Sequence, residues 1–242
     1  MKLSAGTDVG MCRTSNQDYY SAGELPFGGY YAVVCDGMGG HAGGNVASRL
    51  AAERISAELK NNFRADMSVS SIKNMIESAI VLANLDIIDT ADEDKELEGM
   101  GTTAVVAVFS GDDCTVANVG DSRCYHVCAD SVRQVTRDHS LVQEMVDAGY
   151  ITAEEAEHHP RKNIITRALG ISDDVHADFF DVDMGEGDKL LLCSDGLTNH
   201  VSSDELLSSL SENDFDGCAQ RLISLANEHG GSDNITAVIV TQ

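Results

Sequence analysis

Four aspartates stand where an apolar run meets a turn. Asp36 follows the run Tyr30–Cys35 and precedes a turn that is almost all glycine, with His41 inside it. Asp195 lies just past Leu190–Leu192, Asp121 just past Val116–Val119, and Asp233 just before Ile235–Val240. A buried strand holds such a residue by its backbone and leaves the carboxylate at the exposed end. Carboxylates brought together from four strand ends repel by about 4 kcal/mol per pair at roughly 4 Å and an effective dielectric near 20. A pair of hard divalent cations, which take oxygen ligands, is the natural counter-charge.

The elements that must position these groups are legible as apolar patterns. Strands are expected at Lys2–Thr7, Tyr30–Cys35, Thr103–Phe109, Cys114–Val119, Arg123–Cys128, Lys189–Cys193 and Ile235–Val240. The short breaks at Ser110–Asp113 and at Gly120–Ser122 predict hairpins, hence antiparallel sheet. A helix is expected from about Gly44 to Asn61, with Val46, Ala47, Leu50, Ala51, Ile55 and Leu59 on one face. A second, from about Val69 to Asp89, aligns Ile72, Ile76, Ala79, Ile80, Ala83 and Ile87. Further helices are predicted at Ser140–Ala148, Ala153–His158, Ser203–Ser211 and Phe215–His229. Meandering strands with helix pairs set apart in sequence predict an α+β fold. Each sheet buries one face on the other and carries helices outside, giving four layers, α/β/β/α.

Composition narrows the class. The 242 residues include two prolines and no Pro/Ser-rich linker, so one domain spanning 1–242 is expected. No apolar run reaches the length of about 20 residues that spans a bilayer. The start MKLSAGTDVG lacks an apolar signal region, so a cytoplasmic protein is expected. A net charge of −24 excludes binding along a nucleic-acid backbone, which needs a basic face. The seven cysteines include no CxxC pair. Cys35, Cys114 and Cys193 lie in or beside apolar runs, and the set reads as reduced core residues rather than zinc ligands or disulfides.

Two local motifs are set aside. Gly37–Ala42 fits GxGxxG/A, the dinucleotide fingerprint. Asp36 would aim a carboxylate at the pyrophosphate, and the helix that follows leads to another helix, not to a parallel strand. The acidic stretch Asp86–Glu98 lacks the central glycine and regular aspartate spacing of an EF-hand.

Six short motifs in register carry a resemblance. They are GMCRTSNQD at 10–18, DGMGGH at 36–41, GMGTT at 99–103, VGDSR at 119–123, SDG at 194–196 and GSDN at 231–234. In this order the chain resembles the metal-dependent protein phosphatases (PPM family, type-2C serine/threonine phosphatases) in their compact bacterial form. The resemblance implies a β-sandwich flanked by helix pairs, with the metal site at one end. It implies hydrolysis of phosphoserine and phosphothreonine in proteins by a water activated at two ions, Mg²⁺ or Mn²⁺, with a third and weaker ion in bacterial members. By similarity Asp36 bridges both ions and is catalytic, the Gly37 carbonyl adds a ligand, and Asp195 and Asp233 hold the second ion. Asp121 and Asp195 match the third site, and Asp18 orients metal-bound water. Arg13 grips the substrate phosphate, since a guanidinium can hold two phosphate oxygens at once. His41 serves as general acid toward the leaving alkoxide; the other seven histidines are expected at the surface or in ordinary packing. A serine/threonine kinase of the same cell is implied as the opposing activity, and a monomer is expected.

Residues 145–170 resemble the mobile flap beside the active site of bacterial members. Arg161, Lys162 and Arg167 place three of the 16 basic residues within seven positions there. Either they offset Glu154, Glu155 and Glu157, or Arg161 and Lys162 bind the phosphorylated loop of a protein substrate. A pseudophosphatase that binds without catalysis would have lost Asp36, Asp195 or Asp233; all three are present. A specialised regulator phosphatase of the same family, acting on one small protein, fits the same residues.

Overall fold

The structure, a computed structural model, describes residues 1–39, 43–111, 113–212 and 214–242. Three strands come first: β1 (Lys2–Asp8), β2 (Asp18–Glu24) and β3 (Tyr30–Met38). Helices α1 (Gly43–Asn62) and α2 (Val69–Glu93) follow, then β4 (Gly101–Thr102), β5 (Ala104–Ser110), β6 (Asp113–Val119), β7 (Arg123–Val127) and β8 (Val132–Gln134). Next are α3 (Leu141–Asp147), α4 (Ala153–Glu157), β9 (Asp178–Asp183) and β10 (Lys189–Cys193). The remaining elements are α5 (Asp195–Thr198), α6 (Ser203–Leu210), α7 (Cys218–Glu228) and β11 (Ile235–Thr241).

The strands form two sheets in which every paired neighbour is antiparallel. One has the order β1-β11-β10-β7-β8; the other has β2-β3-β5-β6-β9, with β4 beside the end of β3. Alternation along each strand assigns the layers. Leu190 and Leu192 point between the sheets with Val34, Val105, Val116 and Val238. Leu191 and Cys193 point outward and meet Leu206 and Leu210 of α6 and Leu222 and Ile223 of α7. On the other side Val33, Cys35 and Val106 meet Ala51 and Ile55 of α1 and Ile76 and Ile80 of α2. Central strands buried on both faces explain the unbroken apolar runs of the sequence. The α/β/β/α layering is the one the sequence predicts.

Three features differ from the sequence reading. First, the break at Gly120–Ser122 is not a hairpin: β6 and β7 belong to different sheets, so the chain crosses the sandwich there. Gly120 takes φ +107°, and a Cβ on it would stand 2.6 Å from Cγ2 of Thr103. Glycine alone permits so sharp a crossing against that wall. The hairpin at 110–113 does form, pairing Ser110 with Asp113. Second, β3 continues past Asp36 to Met38, because Gly37 and Met38 pair with Thr102 and Gly101. Asp36 is thus held from both strand neighbours rather than released at a strand end. Third, β2, β4, β8 and β9 lack a continuous apolar run. β9, DFFDVD, pairs with β6 along one side only and carries three acids, which suits a sheet edge that must not recruit another strand.

Helix α3 starts at the Ser140 cap and α4 at a capping box in which Thr152 and Glu155 satisfy each other's backbone. Helix α3 leads into the segment 145–170, and α4 lies within it. The base of this segment is tied by bridges from Ser140 to Ile165 and from Thr102 to Leu169. Buried Asn84 of α2 fixes the exit, accepting from the Gly170 amide at 2.7 Å and donating to the Ser172 carbonyl at 2.8 Å.

Candidate metal centre

One end of the sandwich collects the start of β2, the end of β3, the crossing between β6 and β7, the end of β10 and the approach to β11. Asp18, Asp36, Asp121, Asp195 and Asp233 come from these five places. Asp18 and Asp36 face each other as register partners on β2 and β3. Among the described residues, no three of the five bring oxygens within 4.8 Å of one another, so they bound a basin rather than one tight shell.

The backbone of the basin is clamped while some of its carboxylate oxygens are left open. The Asp36 amide donates to Thr103 Oγ1 at 2.9 Å, and its carbonyl accepts from the Thr103 amide and from Thr102 Oγ1, each at 2.9 Å. No described residue donates to its carboxylate. Thr103 Oγ1 also meets Ser122 Oγ at 2.7 Å, which locks the crossing loop beside Asp121. On the loop's other side, the Gly120 amide donates to His139 Nδ1 at 3.0 Å. Asp18 is buried; its Oδ2 accepts from Ser194 Oγ at 2.6 Å and from Thr236 Oγ1 at 2.7 Å. Among the described residues its Oδ1 has no partner, and neither has Oδ1 of buried Asp121.

Close packing explains why position 37 is glycine. It sits in regular strand, and a Cβ would stand 2.0 Å from the Gly44 carbonyl oxygen at the start of α1. A Cβ on Gly44 would in turn come within 2.8 Å of the Gly37 carbonyl oxygen. The glycine pair lets α1 dock against the backbone of β3 beside that oxygen.

Removal from water pushes several of these groups up. Burial and then the charges of Asp195 and Asp233 raise Asp18 to about 7, against the pull of its two hydroxyl donors. Burial, then Asp195 and Asp138, raises Asp121 to about 8. Asp36 is driven well above the carboxylate range by burial and then by Asp18, Asp195, Asp121 and Asp233. Asp195 is raised by burial and then by Asp233. Orphaned buried oxygens and carboxylates that resist ionisation mark a place where positive charge belongs. The donors are all oxygen, the set that hard divalent cations prefer.

Arg13 Nη2 donates to Asp233 Oδ2 at 2.7 Å, with about half of the Arg13 side chain exposed. His41 lies outside the described residues. Lys162 donates from Nζ to Asn199 Oδ1 at 3.0 Å, and Asn199 donates from Nδ2 to Asp195 Oδ2 at 3.0 Å. The flap thus touches the basin through one asparagine. Arg161 is exposed, and its side chain has no partner among the described residues. Arg167 binds Asp178 at 2.8 Å instead. Glu154, Glu155 and Glu157 pair with none of the three bases among the described residues. A cavity of about 690 Å³ opens between the flap and α5–α6, bounded by Asp121, Asp195, Lys162, Asn199, Gln143 and Leu206.

Sequence reasoning gave no role to Ser194, Thr236, Asn199 or Asn234. Asn234 accepts from the Gln17 amide at 2.8 Å and donates to the Val9 and Ser15 carbonyls at 2.9 and 3.0 Å. It pins the loop that carries Arg13. Asn199 had a signal: it lies one helical turn after Asp195, the spacing at which side chains on a helix meet.

The chain is similar to known proteins along nearly its whole length. A family model described as protein phosphatase 2C matches residues 11–238. A serine/threonine phosphatase stp of Listeria innocua is 41% identical over 235 residues, covering 97% of this chain and 93% of that protein. The S. agalactiae serine/threonine phosphatase superposes with a TM-score of 0.94 at 36% identity, covering 100% of this chain and 99% of that one. The catalytic domain of the serine threonine protein phosphatase PstP, solved in complex with two manganese ions, has a TM-score of 0.86 at 34% identity and covers 98% of this chain and 96% of that one. The five carboxylates and the two-sheet frame that holds them thus belong to a bacterial protein serine/threonine phosphatase of the metal-dependent protein phosphatase 2C (PPM) family.

Proposed function

We propose that residues 1–242 act as one catalytic unit, with residues 145–170 as its flap, that hydrolyses phosphoserine and phosphothreonine with two Mg²⁺ or Mn²⁺ ions. The observation that carries this is the pair of buried, unpartnered carboxylate oxygens, Asp18 Oδ1 and Asp121 Oδ1, on a basin made only of oxygen donors. Asp36 would be shared by both ions, the Gly37 carbonyl would serve one of them, and Asp195 and Asp233 would hold the other. Asp121 with Asp195 would take a third, weaker ion. When bound, the ions neutralise the carboxylates, lower the pKa of a water and draw charge from the phosphoryl oxygens.

The chain's own residues do the rest. Asp18, with Oδ2 fixed by Ser194 and Thr236, presents Oδ1 to orient the attacking water. Arg13 binds Asp233 through one nitrogen and has further N–H donors for the phosphate. His41, by similarity, supplies the proton to the leaving alkoxide. Exposed Arg161 meets the substrate protein, while Lys162 acts through Asn199. A serine/threonine kinase of the same cell would be the opposing activity, with both in the cytoplasm, and the phosphatase would work as a monomer.

The test is hydrolysis of p-nitrophenyl phosphate and of a phosphothreonine peptide with Mn²⁺, before and after chelation. Both activities should vanish with chelator and return with Mn²⁺. Turnover that survives exhaustive chelation would refute the reading.

A further inference from the structure

Cys128 departs from the core role expected of the cysteines. It is half-buried, just past the end of β7, while Cys35, Cys114, Cys124, Cys193 and Cys218 are buried. Its neighbours are His126, two residues earlier on the same strand face, and Asp188, in the turn before β10. One ligand atom from each lies within 4.8 Å of the other two. His126 pairs with Leu190, so Asp188 sits two residues from its register partner, on the same side of the sheet.

The arrangement of donors decides between two chemistries. A nucleophilic relay needs the thiol and the carboxylate on opposite ring nitrogens. Here both are nearest to Nε2: Asp188 Oδ2 at 2.8 Å and Cys128 Sγ at 3.7 Å, with Sγ at 4.0 Å from Nδ1. The three donors lie within reach of one ion, but Sγ stands over the imidazole face, nearly equidistant from both nitrogens, so the ring must turn for its Nε2 lone pair to point at that ion. Tetrahedral zinc, with bonds of about 2.3 Å to sulfur and 2.0–2.1 Å to nitrogen, sets its S and N ligands about 3.6 Å apart. The S···N separation here is 3.7 Å. The N···O separation must open by roughly half an ångström from its present hydrogen bond to reach the same geometry.

Backbone contacts fix the donors, and the Gly185 amide shares Asp188 Oδ2 with His126. Asp188 accepts from the Gly185 amide at 2.9 Å and its carbonyl takes the Thr241 hydroxyl at 2.8 Å. The Cys128 amide donates to the Ser131 carbonyl at 2.9 Å. We propose that His126, Cys128 and Asp188 form a zinc-type metal site at the opposite end of the sandwich from the carboxylate basin, with a fourth position open to water. Five residues of extended chain separate it from Asp121, roughly 16 Å. Thiolate and imidazole select a borderline metal such as Zn²⁺ over Mg²⁺ or Mn²⁺, so the two ends take different ions.

Cobalt(II) tests this, because a thiolate ligand gives a charge-transfer band that an all-oxygen site cannot. Titration of the metal-free full chain with Co²⁺ should raise that band with one equivalent, in wild type and in Asp36→Asn alike. Zn²⁺ should bleach it. Cys128→Ser should remove the band, and Asp188→Asn should weaken Zn²⁺ binding, read by competition with a chromogenic chelator, by more than about tenfold. Should Cys128→Ser fail to fold by circular dichroism, loss of the band in His126→Asn decides instead. Absence of a band in wild type, or its persistence in folded Cys128→Ser (which would point to exposed Cys12), overturns the proposal.

Discussion

The two ends of the sandwich gather ionisable groups in opposite ways. At one end five aspartates from both sheets ring an open basin, their backbones clamped and two of their buried oxygens left without donors. At the other, three different donors from one sheet sit within 4.8 Å of one another, and two of them already share a 2.8 Å hydrogen bond. The basin carries unrelieved negative charge and raised carboxyls; the clamp is close to internally balanced. A site for catalysis is built unsatisfied, so that ions and substrate complete it. The clamp loses little when no ion is present, and it can therefore strengthen the fold without being required by the chemistry.

That contrast can be broken most directly at Asp36. Asp36→Asn should abolish nearly all turnover at saturating Mn²⁺, since a neutral amide cannot bridge two cations. Retention of more than about a tenth of wild-type kcat would remove Asp36 from the centre of the basin. His41→Ala should lower kcat on a phosphoserine peptide by about 10², and less on p-nitrophenyl phosphate, whose leaving group barely needs a proton. Equal losses on both substrates would end its assignment as general acid.

The raised carboxyls predict a pH effect in the metal-free protein. Unfolded, Asp18 and Asp121 lose their protons near pH ~4. Folded, they hold them to about 7 and about 8. The folded state therefore binds more protons across this window, and the stability these groups contribute is whole below pH ~4 and falls as pH rises toward ~8. The melting temperature of chelated protein should drop between pH 5.5 and 8, and the drop should shrink in Asp121→Asn and on adding Mn²⁺, which takes the protons' place. A wild-type profile no steeper than that of Asp121→Asn would contradict the charge frustration described for the basin.

Smaller effects separate the two flap bases. Lys162→Ala frees Asn199 and should reduce kcat on both substrates a few-fold, of the order expected for a positioning partner one step from a ligand. Arg161→Ala should raise KM for a phosphoprotein only, and flatten its salt dependence, because exposed charges act through screened attraction. If the two variants behave alike on both substrates, the flap makes no such division. Smallest of all, Cys128→Ser should leave turnover within about twofold, the ordinary reach of a surface change far from the chemistry.

How much of this was legible depended on how each element is buried. β3, β5, β6, β10 and β11 are covered on both faces and appear as apolar runs with an aspartate at or near the boundary, so the basin's ligands could be named from the chain. α1 and α2 were legible from their spacing, and Ile72 to Ile87 are buried as that spacing required. β2 and β9 are partly exposed along most of their length and leave a weak pattern. The crossing at Gly120 was misread as a hairpin because a short glycine break looks the same whether the next strand pairs beside the last or joins the facing sheet. Asn234, and Asn199 in its contact with Lys162, act through long-range hydrogen bonds, which no local pattern encodes. The His126–Cys128–Asp188 cluster was hidden for the same reason: its third member comes from 60 residues farther along the chain.

The placement of β11 has a consequence for how the enzyme comes into being. It lies between β1 and β10, pairing Lys2 with Thr241 at the start of one ladder and Lys189 with the same Thr241 in the other. Asp233 is delivered only as this strand docks. In a growing chain β1 is made long before β11, and its partner in the sheet is absent until residues 235–241 emerge. Such distant pairing slows folding, and until it happens β1 and β10 each offer an unpaired edge to other chains. Assembly of the basin therefore waits on β11, the strand that closes the sheet and delivers Asp233 in the same step.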